Sequence, residues 1–358
     1  RKSALGSYIY CLCEIFQNYG NSMSFNGVAY ETLKKRGQRE EKQASASSSI
    51  KKIIPVGVKE LMKHILMFRK NKKLFHQITT GEKCDYIIEF YTYASDVGYK
   101  LAISQKTPLI VVYDNPVVEE YTFFYGKRIF FKKLILTRQL KTLMRAKAIV
   151  AYSNAVKVYL NKLASKQLPI KIHQNVDFSR FDFLEKQFSH KPIRIGFIGS
   201  FLKWHRIDLL ITAFNVLKEC KYDVELFLVG YGVEYPEIKK IVECSPFKSA
   251  IVMTGFKDGK ELVEIKKTLH IGVMPGSNWY GAPNKIFEYA AAKMAVVAPD
   301  TPTIVDLFED KQELLLFKQD NVQHLIEKLK LLCDDSVLRE QLASTIQKKI
   351  KQKYSEKN

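Results

Sequence analysis

No stretch of eighteen consecutive apolar residues occurs in this chain, which excludes a helix long and apolar enough to span a bilayer. No charged-then-apolar leader is visible at its start either, and this sets the expectation of a cytoplasmic protein. The six cysteines (Cys11, Cys13, Cys84, Cys220, Cys244 and Cys333) include no Cys-x-x-Cys pair. That argues against a zinc site or a disulfide framework and for reduced, mostly buried thiols. No His/Cys/acid cluster at metal-ligand spacing is present, so no metal is expected. Complete Gly-x-Gly-x-x-Gly fingerprints are missing too: Gly196-Phe197-Ile198-Gly199 and Gly230-Tyr231-Gly232 both fall short, which counts against a nicotinamide dehydrogenase. Acidic residues are scarce, 37 against 57 lysines and arginines, for a formal net charge of +20. Nucleic acid is a natural partner for so basic a chain. Against it, no zinc finger, helix-turn-helix or RNP-type sequence occurs and the aromatics sit in apparent core patterns, so no nucleic acid is expected.

The chain does have length and alternation. Its 358 residues, 46% of them hydrophobic, suffice for two domains with separate cores. Short apolar runs at Tyr86 to Ile88, Leu109 to Tyr113, Ala148 to Tyr152, Arg194 to Ile198, Glu225 to Val229 and Val296 to Ala298 have the character of buried parallel strands. Amphipathic segments such as Asp208 to Cys220 and Val322 to Leu332 read as the helices between them. Strand-helix alternation of this kind predicts an α/β protein with parallel sheets. The polar run Glu185 to Pro192 is the expected boundary, giving an N-terminal domain over residues 1–190 and a C-terminal domain over 191–358 whose last helix can pack back on the first domain. Ligands of such sheets bind at the carboxyl ends of the strands.

The segment Tyr280-Gly281-Ala282-Pro283-Asn284-Lys285-Ile286-Phe287-Glu288-Tyr289 joins a tight turn to a helix start that carries one cation and one carboxylate. Unpaired backbone N–H groups and the positive dipole end favour an anion at such a start, and Lys285 adds a full charge. One turn on, the Glu288 carboxylate is placed to accept two ribose hydroxyls. The same residues also read as an amphipathic core helix after a Gly-Pro turn.

This segment resembles the donor-binding signature of retaining GT-B-fold glycosyltransferases of family 4, in a Tyr-Gly-x-Pro-x-Lys-x-Phe-Glu-Tyr variant. Ile195 to Phe214 (IGFIGSFLKWHRIDLLITAF), Val224 to Gly232 (VELFLVGYG), Ile251 to Phe256 (IVMTGF) and His270 to Pro275 resemble the family's C-terminal domain in the same order. Ala148 to Leu160 and Lys171 to Phe181, with its Asn-x-Asp, resemble the approach to the interdomain linker. Matches in order over most of the chain are more specific than any one motif. The resemblance implies two Rossmann-like doubly wound domains facing a central cleft. It implies transfer of a hexose-type sugar from a UDP-sugar or GDP-sugar to a glycan or lipid-linked hydroxyl with the anomeric configuration retained, in cell-surface polysaccharide or glycoconjugate synthesis, and no cofactor. The donor would be held by Gly199, Ser200, His205, Arg206, Phe256 near the base, Tyr280, Gly281, Asn284, Lys285 and Glu288. Gly6 and Ser7, heading a helix over Tyr8 to Tyr19, would offer N–H groups from the other domain; a simple N-cap is the competing reading. The first strand of that domain is missing or truncated in the sequence.

Several positions depart from the commonest family pattern. The first Glu of the usual pair aligns with Tyr280, the frequent Arg and Lys align with Ser200 and His205, and a usual Gly is Arg206. These departures also fit a non-catalytic or weakened partner subunit. Departure of the diphosphate is the principal barrier, so Lys285 is the first candidate to stabilise the leaving charge. Asp114, at the end of the Leu109 to Tyr113 strand, can orient sugar or acceptor; a turn-capping Asp before Asn-Pro is the alternative.

Two segments concentrate the positive charge. Lys51 to His76 has eight lysines and arginines and one acid, with Val58, Leu61, Met62, Ile65 and Phe68 at helical spacing. Gly126 to Lys147 has eight basic residues and no acid, interleaved with Phe130, Phe131, Leu134, Ile135, Leu140 and Leu143. Taken singly, each apolar stripe reads as core with a solvated cationic face. Taken together they suit an anionic membrane surface, where each cation contributes roughly 1 kcal/mol. The expected location is therefore peripheral, at the inner face of the membrane.

Overall fold

The computed structural model describes residues 24–25, 28–29, 56–79, 83–93, 95–125, 131–173, 183–185 and 192–353. Gly6, Ser7 and the helix expected over Tyr8 to Tyr19 lie outside the described residues. The chain divides into two compact units, residues 1–174 and 175–358.

In the first unit a short antiparallel pair, β1 (Ser24–Phe25) and β2 (Val28–Ala29), precedes a long helix, α1 (Val56–Thr79). Then follow β3 (Ile87–Phe90), α2 (Val97–Ser104), β4 (Leu109–Tyr113), α3 (Val117–Tyr125), α4 (Lys132–Arg145), β5 (Ala148–Ala151), α5 (Asn154–Ala164) and β6 (Ile170–Ile172). The four strands β3 to β6 lie side by side in sequence order, all parallel. Burial on both faces explains the unbroken apolar run of β4, whose Leu109, Val111, Val112 and Tyr113 are buried. Ser153 starts α5 by accepting a hydrogen bond from the Val156 N–H at 3.2 Å, which satisfies one of the orphan donors of the first turn.

The second unit contains β7 (Ile193–Ile198), α6 (Ile207–Glu219), β8 (Val224–Val229), α7 (Tyr235–Cys244), β9 (Ile251–Gly255), α8 (Gly259–Thr268), β10 (Ile271–Val273), α9 (Asn284–Ala291), β11 (Ala295–Pro299), α10 (Pro302–Val305), β12 (Leu315–Phe317), α11 (Val322–Asp334) and α12 (Ser336–Lys353). Its six parallel strands are ordered β9-β8-β7-β10-β11-β12. The chain thus winds outward from β7 in one direction and then, starting at β10, in the other. This is the doubly wound order, and its switch point lies between β7 and β10, where such sheets open a crevice at their carboxyl ends. Phe197, Phe201, Phe214, Leu226 and Val297 fill the core on one face; Phe287, Tyr289, Val296 and Met294 fill it on the other. The final helix α12 packs on α9 and β11 within this unit.

Two expectations need correction. The α1 stripe is not core: Leu61, Met62, Ile65 and Phe68 are exposed, because His64 and Asn71 on the opposite side face the domain. In α4, by contrast, Ile135 and Leu143 are buried as expected while Leu134 is exposed. The thiols are not mostly buried either. Cys220 and Cys244 are exposed at helix ends, and Cys84 and Cys333 are half-buried.

Candidate functional site

The switch point of the second unit is built from β7, the turn after it and the start of α9. After β7 the chain passes through Gly199 and a single 3₁₀ turn, Lys203–His205, before α6 begins. Gly199 has φ +147°, and a Cβ there would sit 2.4 Å from Cε of Lys285. The missing side chain is therefore the space through which the Lys285 stem passes. Gly230, at the end of β8 with φ +140°, would place a Cβ 1.9 Å from the Gly199 carbonyl oxygen, so the two strand ends approach as closely as backbones can.

Lys285 lies in the first turn of α9. Its Nζ is 3.0 Å from Nε2 of the buried His205 and 5.7 Å from the centre of the Phe197 ring. Burial holds the His205 imidazole far below its usual range; the Lys285 charge adds to this and the Gly276 backbone opposes it. A neutral His205 accepts a hydrogen bond from the ammonium at Nε2 and carries its proton on Nδ1. Burial also lowers Lys285 to about 8, with Glu288 acting in the opposite direction. The site thus holds a cation that is poorly compensated until an anion arrives.

The helix that presents Lys285 is fixed from behind. Tyr289 is buried, and its hydroxyl accepts from the Ile198 N–H at 2.9 Å, tying α9 to the end of β7. Burial keeps this phenol protonated, and the Val273 carbonyl lies 3.3 Å from the same oxygen. Gly272 leaves room for the Tyr289 ring, since a Cβ there would meet it at 2.5 Å. No side chain caps the start of α9. Asn284 Oδ1, in that first turn, is buried without a protein partner among the described residues. Glu288 is partly exposed, with Oε2 3.4 Å from Nζ of Lys266 on α8.

Tyr280 is buried and meets Trp279 edge to face at 5.3 Å. Beside it the Gly281 N–H donates to the Asn278 side chain, closing the loop before α9. Gln319 reaches the same loop by donating to the Ser277 carbonyl at 3.0 Å. Arg206 adopts φ +48°, and its guanidinium binds Asp208 at 3.0 Å and also pairs with Asp320. Ser200 is exposed beside Gly199. Phe256, after β9, is 71% exposed. The structure therefore joins His205 to Lys285 directly, gathers Gly199 at the same spot, and leaves Arg206 engaged with two carboxylates.

Sequence reasoning misses two contributors. Tyr289 stands in the signature without a role until its hydroxyl is seen to meet the Ile198 N–H, and Lys266, the partner of Glu288, carries no motif.

In the first unit Asp114 follows β4. Burial raises its carboxyl above the usual range, and a hydrogen bond from Tyr152 opposes this. Nearby, Gln139 donates to the Tyr113 hydroxyl at 2.8 Å, and the Tyr159 hydroxyl donates to Glu119 at 3.0 Å. A second buried carboxyl, Glu89 in β3, was not anticipated. Burial raises it, and the Ser95 hydroxyl, which donates to it, opposes the rise. Groups of three or more metal-ligating side chains are absent among the described residues.

Comparison with known proteins bears on this geometry. No curated protein matches the sequence. Among solved structures, sucrose-phosphate synthase from Thermosynechococcus elongatus is 16% identical, with 85% of this chain and 77% of that one covered and a TM-score of 0.65. HepE from Anabaena, solved with UDP, is 16% identical over 77% of this chain and 76% of its own, with a TM-score of 0.63. TarM from S. aureus, a mutant solved with fondaparinux, alpha-GlcNAc-glycerol and UDP, is 17% identical over 71% of this chain, with a TM-score of 0.57. The chain spans about half of TarM, 51% of its length. The family model described as Glycosyl transferases group 1 matches residues 179–349, the unit that carries His205, Lys285 and Glu288. The chain has the α/β GT-B fold of glycosyltransferases, with a Glycosyl transferases group 1 domain in its second half.

Proposed function

We propose that this chain is a retaining family 4 glycosyltransferase that moves a hexose-type sugar from a nucleoside-diphosphate sugar to a hydroxyl of a glycan or lipid-linked acceptor. The observation that carries the reading is the Lys285 ammonium, held at the β7/β10 switch point by a neutral His205 and set at the uncapped start of α9. A diphosphate supplies the anion this arrangement lacks. As the bond to the sugar breaks, charge grows on the diphosphate, and Lys285 with the N–H groups of α9 stabilises it. Gly199 and Ser200 let the phosphates approach the backbone, with His205 and Arg206 beside them. Glu288 takes the ribose hydroxyls, and the exposed Phe256 offers a face for the base. Asn284, Tyr280 and Gly281 shape the loop around the sugar. Asp114 is assigned to orienting sugar or acceptor.

UDP is favoured over GDP as the donor base, since HepE was solved with UDP and with UDP-glucose and TarM with UDP. The acceptor side of TarM, which was solved with alpha-GlcNAc-glycerol and fondaparinux, supports a glycan-type acceptor in cell-surface polymer synthesis. We place the reaction at the inner membrane face.

Thermal unfolding with UDP, GDP and their sugars tests the reading. Stabilisation by UDP-sugars that is lost in Lys285→Ala supports it; no stabilisation by any nucleotide overturns it. The anomeric configuration of the product, read by proton NMR, tests retention. A partner-subunit role is the second reading, favoured by Tyr280 in place of the usual carboxylate and by Arg206 locked to Asp208 and Asp320. Nucleotide binding without turnover on any acceptor would select it.

A further inference from the structure

The helix α1 carries two kinds of residue on one exposed face. Successive residues of a helix turn by about 100°, which places Leu61, Met62, Ile65 and Leu66 on the same side as Arg69, Lys72, Lys73 and His76. The five large apolar side chains of this half, Leu61, Met62, Ile65, Leu66 and Phe68, are each 45–61% exposed. On the opposite side, Asn71 donates to Asp96 at 3.3 Å and His64 meets the Tyr93 hydroxyl at 2.8 Å, which fixes the rotation of the helix. The exposed face therefore runs from an apolar first half to a cationic second half.

Two neighbouring helices extend the same surface. The helix α1 packs on α2, and α2 packs on α4; Arg145 of α4 also reaches the Ala102 carbonyl of α2 at 3.4 Å. Ile103 is 50% exposed on α2 and Met144 is 54% exposed on α4. Lys133, Lys141 and Arg145 of α4 are exposed as well. Arg69, Lys70, Lys72, Lys73, Lys133 and Lys141 have no ion-pair partner among the described residues. The acid Asp96 is already engaged by Lys100 at 2.9 Å.

We infer that the α1-α2-α4 layer is a docking surface for an anionic lipid bilayer, with Leu61, Ile65 and Leu66 entering the headgroup-acyl boundary and Lys72 and Lys73 resting on the headgroups. Charge complementarity carries the choice of occupant. A polyanion such as duplex nucleic acid would satisfy the lysines and leave the apolar half in water. An apolar protein face would do the reverse. A bilayer with anionic headgroups satisfies both halves at their observed spacing. The inference deepens the proposed function by naming the surface that brings the enzyme to its acceptor. It rests on that reading for the acceptor alone, since the lipid contact stands on separate residues.

The test is flotation of the full chain with phosphatidylcholine vesicles and with phosphatidylcholine vesicles doped with phosphatidylglycerol. Binding is expected on the doped vesicles and should weaken as salt rises, because the headgroup attraction is screened. The paired substitutions Lys72→Glu and Lys73→Glu should weaken it about tenfold or more. Leu66→Asn should weaken it at every salt concentration. Both variants should keep the wild-type thermal midpoint and its shift with UDP, which separates this surface from the donor site. Absence of binding to doped vesicles at low salt overturns the inference, and wild-type binding by both variants does so too. Release from vesicles by duplex DNA in preference to lipid would assign the face to nucleic acid. Self-association abolished by Leu66→Asn, without vesicle binding, would assign it to a second copy. Vesicle binding with no UDP-induced shift would leave the membrane surface standing and remove the proposed chemistry.

Discussion

Nζ of Lys285 lies 3.0 Å from Nε2 of His205, across 80 residues of sequence. The histidine is neutral, so the contact is a hydrogen bond from an ammonium to an imidazole nitrogen rather than a clash of two cations. It aims the lysine without cancelling its charge. A carboxylate in that position would hold Lys285 more tightly but would compete with a phosphate for it.

Donor binding should therefore take up a proton near the working pH. Burial lowers Lys285 from the usual lysine range to about 8, and a bound diphosphate restores the cation. Affinity for UDP should be full below that value and fall as pH rises through it. Calorimetry in two buffers of different ionisation enthalpy should show the uptake, and Lys285→Ala should abolish it. The same shift affects stability in a defined direction. Between about 8 and the ordinary lysine value the unfolded chain binds more protons than the folded one, so the contribution of this group to stability rises with pH across that window.

Substituting the cation or the carboxylate should separate two roles. Lys285→Ala should cost about 10²- to 10³-fold in kcat, the range found when one stabiliser of transition-state charge is removed. Glu288→Ala should act chiefly on donor KM, since ribose contacts are made equally in the ground and transition states. Steady-state kinetics of both variants, with circular dichroism to verify the fold, checks this.

His205→Ala should weaken donor binding about tenfold or more, because the Lys285 ammonium is no longer aimed by the bond from Nζ to Nε2. Weaker affinity with the fall near pH 8 retained would show that His205 positions Lys285 without setting its protonation. His205→Gln, which keeps an acceptor, should recover part of the affinity in a titration with UDP.

The strands were legible because parallel strands buried on both faces are nearly unbroken apolar runs. Leu109 to Tyr113 is found as expected, while the strand expected over Tyr86 to Ile88 is Ile87–Phe90. Glu89 caused that shift: a carboxyl inside a strand reads as an end, and its burial depends on Ser95 and the start of α2, which no local pattern reveals. At the candidate site, each residue of the His205-Lys285 pair was visible, but their contact was not, since a turn after one strand and a helix after another meet only in the folded sheet. The α1 stripe misled for a related reason. Periodicity shows that apolar residues share a face, not whether that face is covered.

Arg206 stands in the left-handed region, where L-residues other than glycine cost about 1–2 kcal/mol. Replacement by Gly and by Ala removes the pairs with Asp208 and Asp320 equally, so the difference between the two variants isolates the backbone. Arg206→Gly should be more stable than Arg206→Ala by about 1 kcal/mol in chemical denaturation.

The two glycines at the strand ends should respond differently to the same methyl group. Gly199 and Gly230 have similar positive φ, so the backbone strain of an alanine is comparable at both. What differs is the obstacle. At Gly230 the added carbon meets the Gly199 carbonyl oxygen at 1.9 Å, and two central strands would have to part to admit it. At Gly199 it meets the flexible stem of Lys285 at 2.4 Å, which can swing aside. Gly230→Ala should therefore cost several kcal/mol of stability, in the upper range for single substitutions. Gly199→Ala should unfold at a higher denaturant concentration than Gly230→Ala, yet bind UDP as poorly as Lys285→Ala, because the displaced ammonium no longer meets His205. Denaturant midpoints and UDP titrations of the two variants, measured side by side, check both halves. Equal stability losses with retained UDP affinity in Gly199→Ala would show that the lysine stem does not pass over Gly199 in the working enzyme.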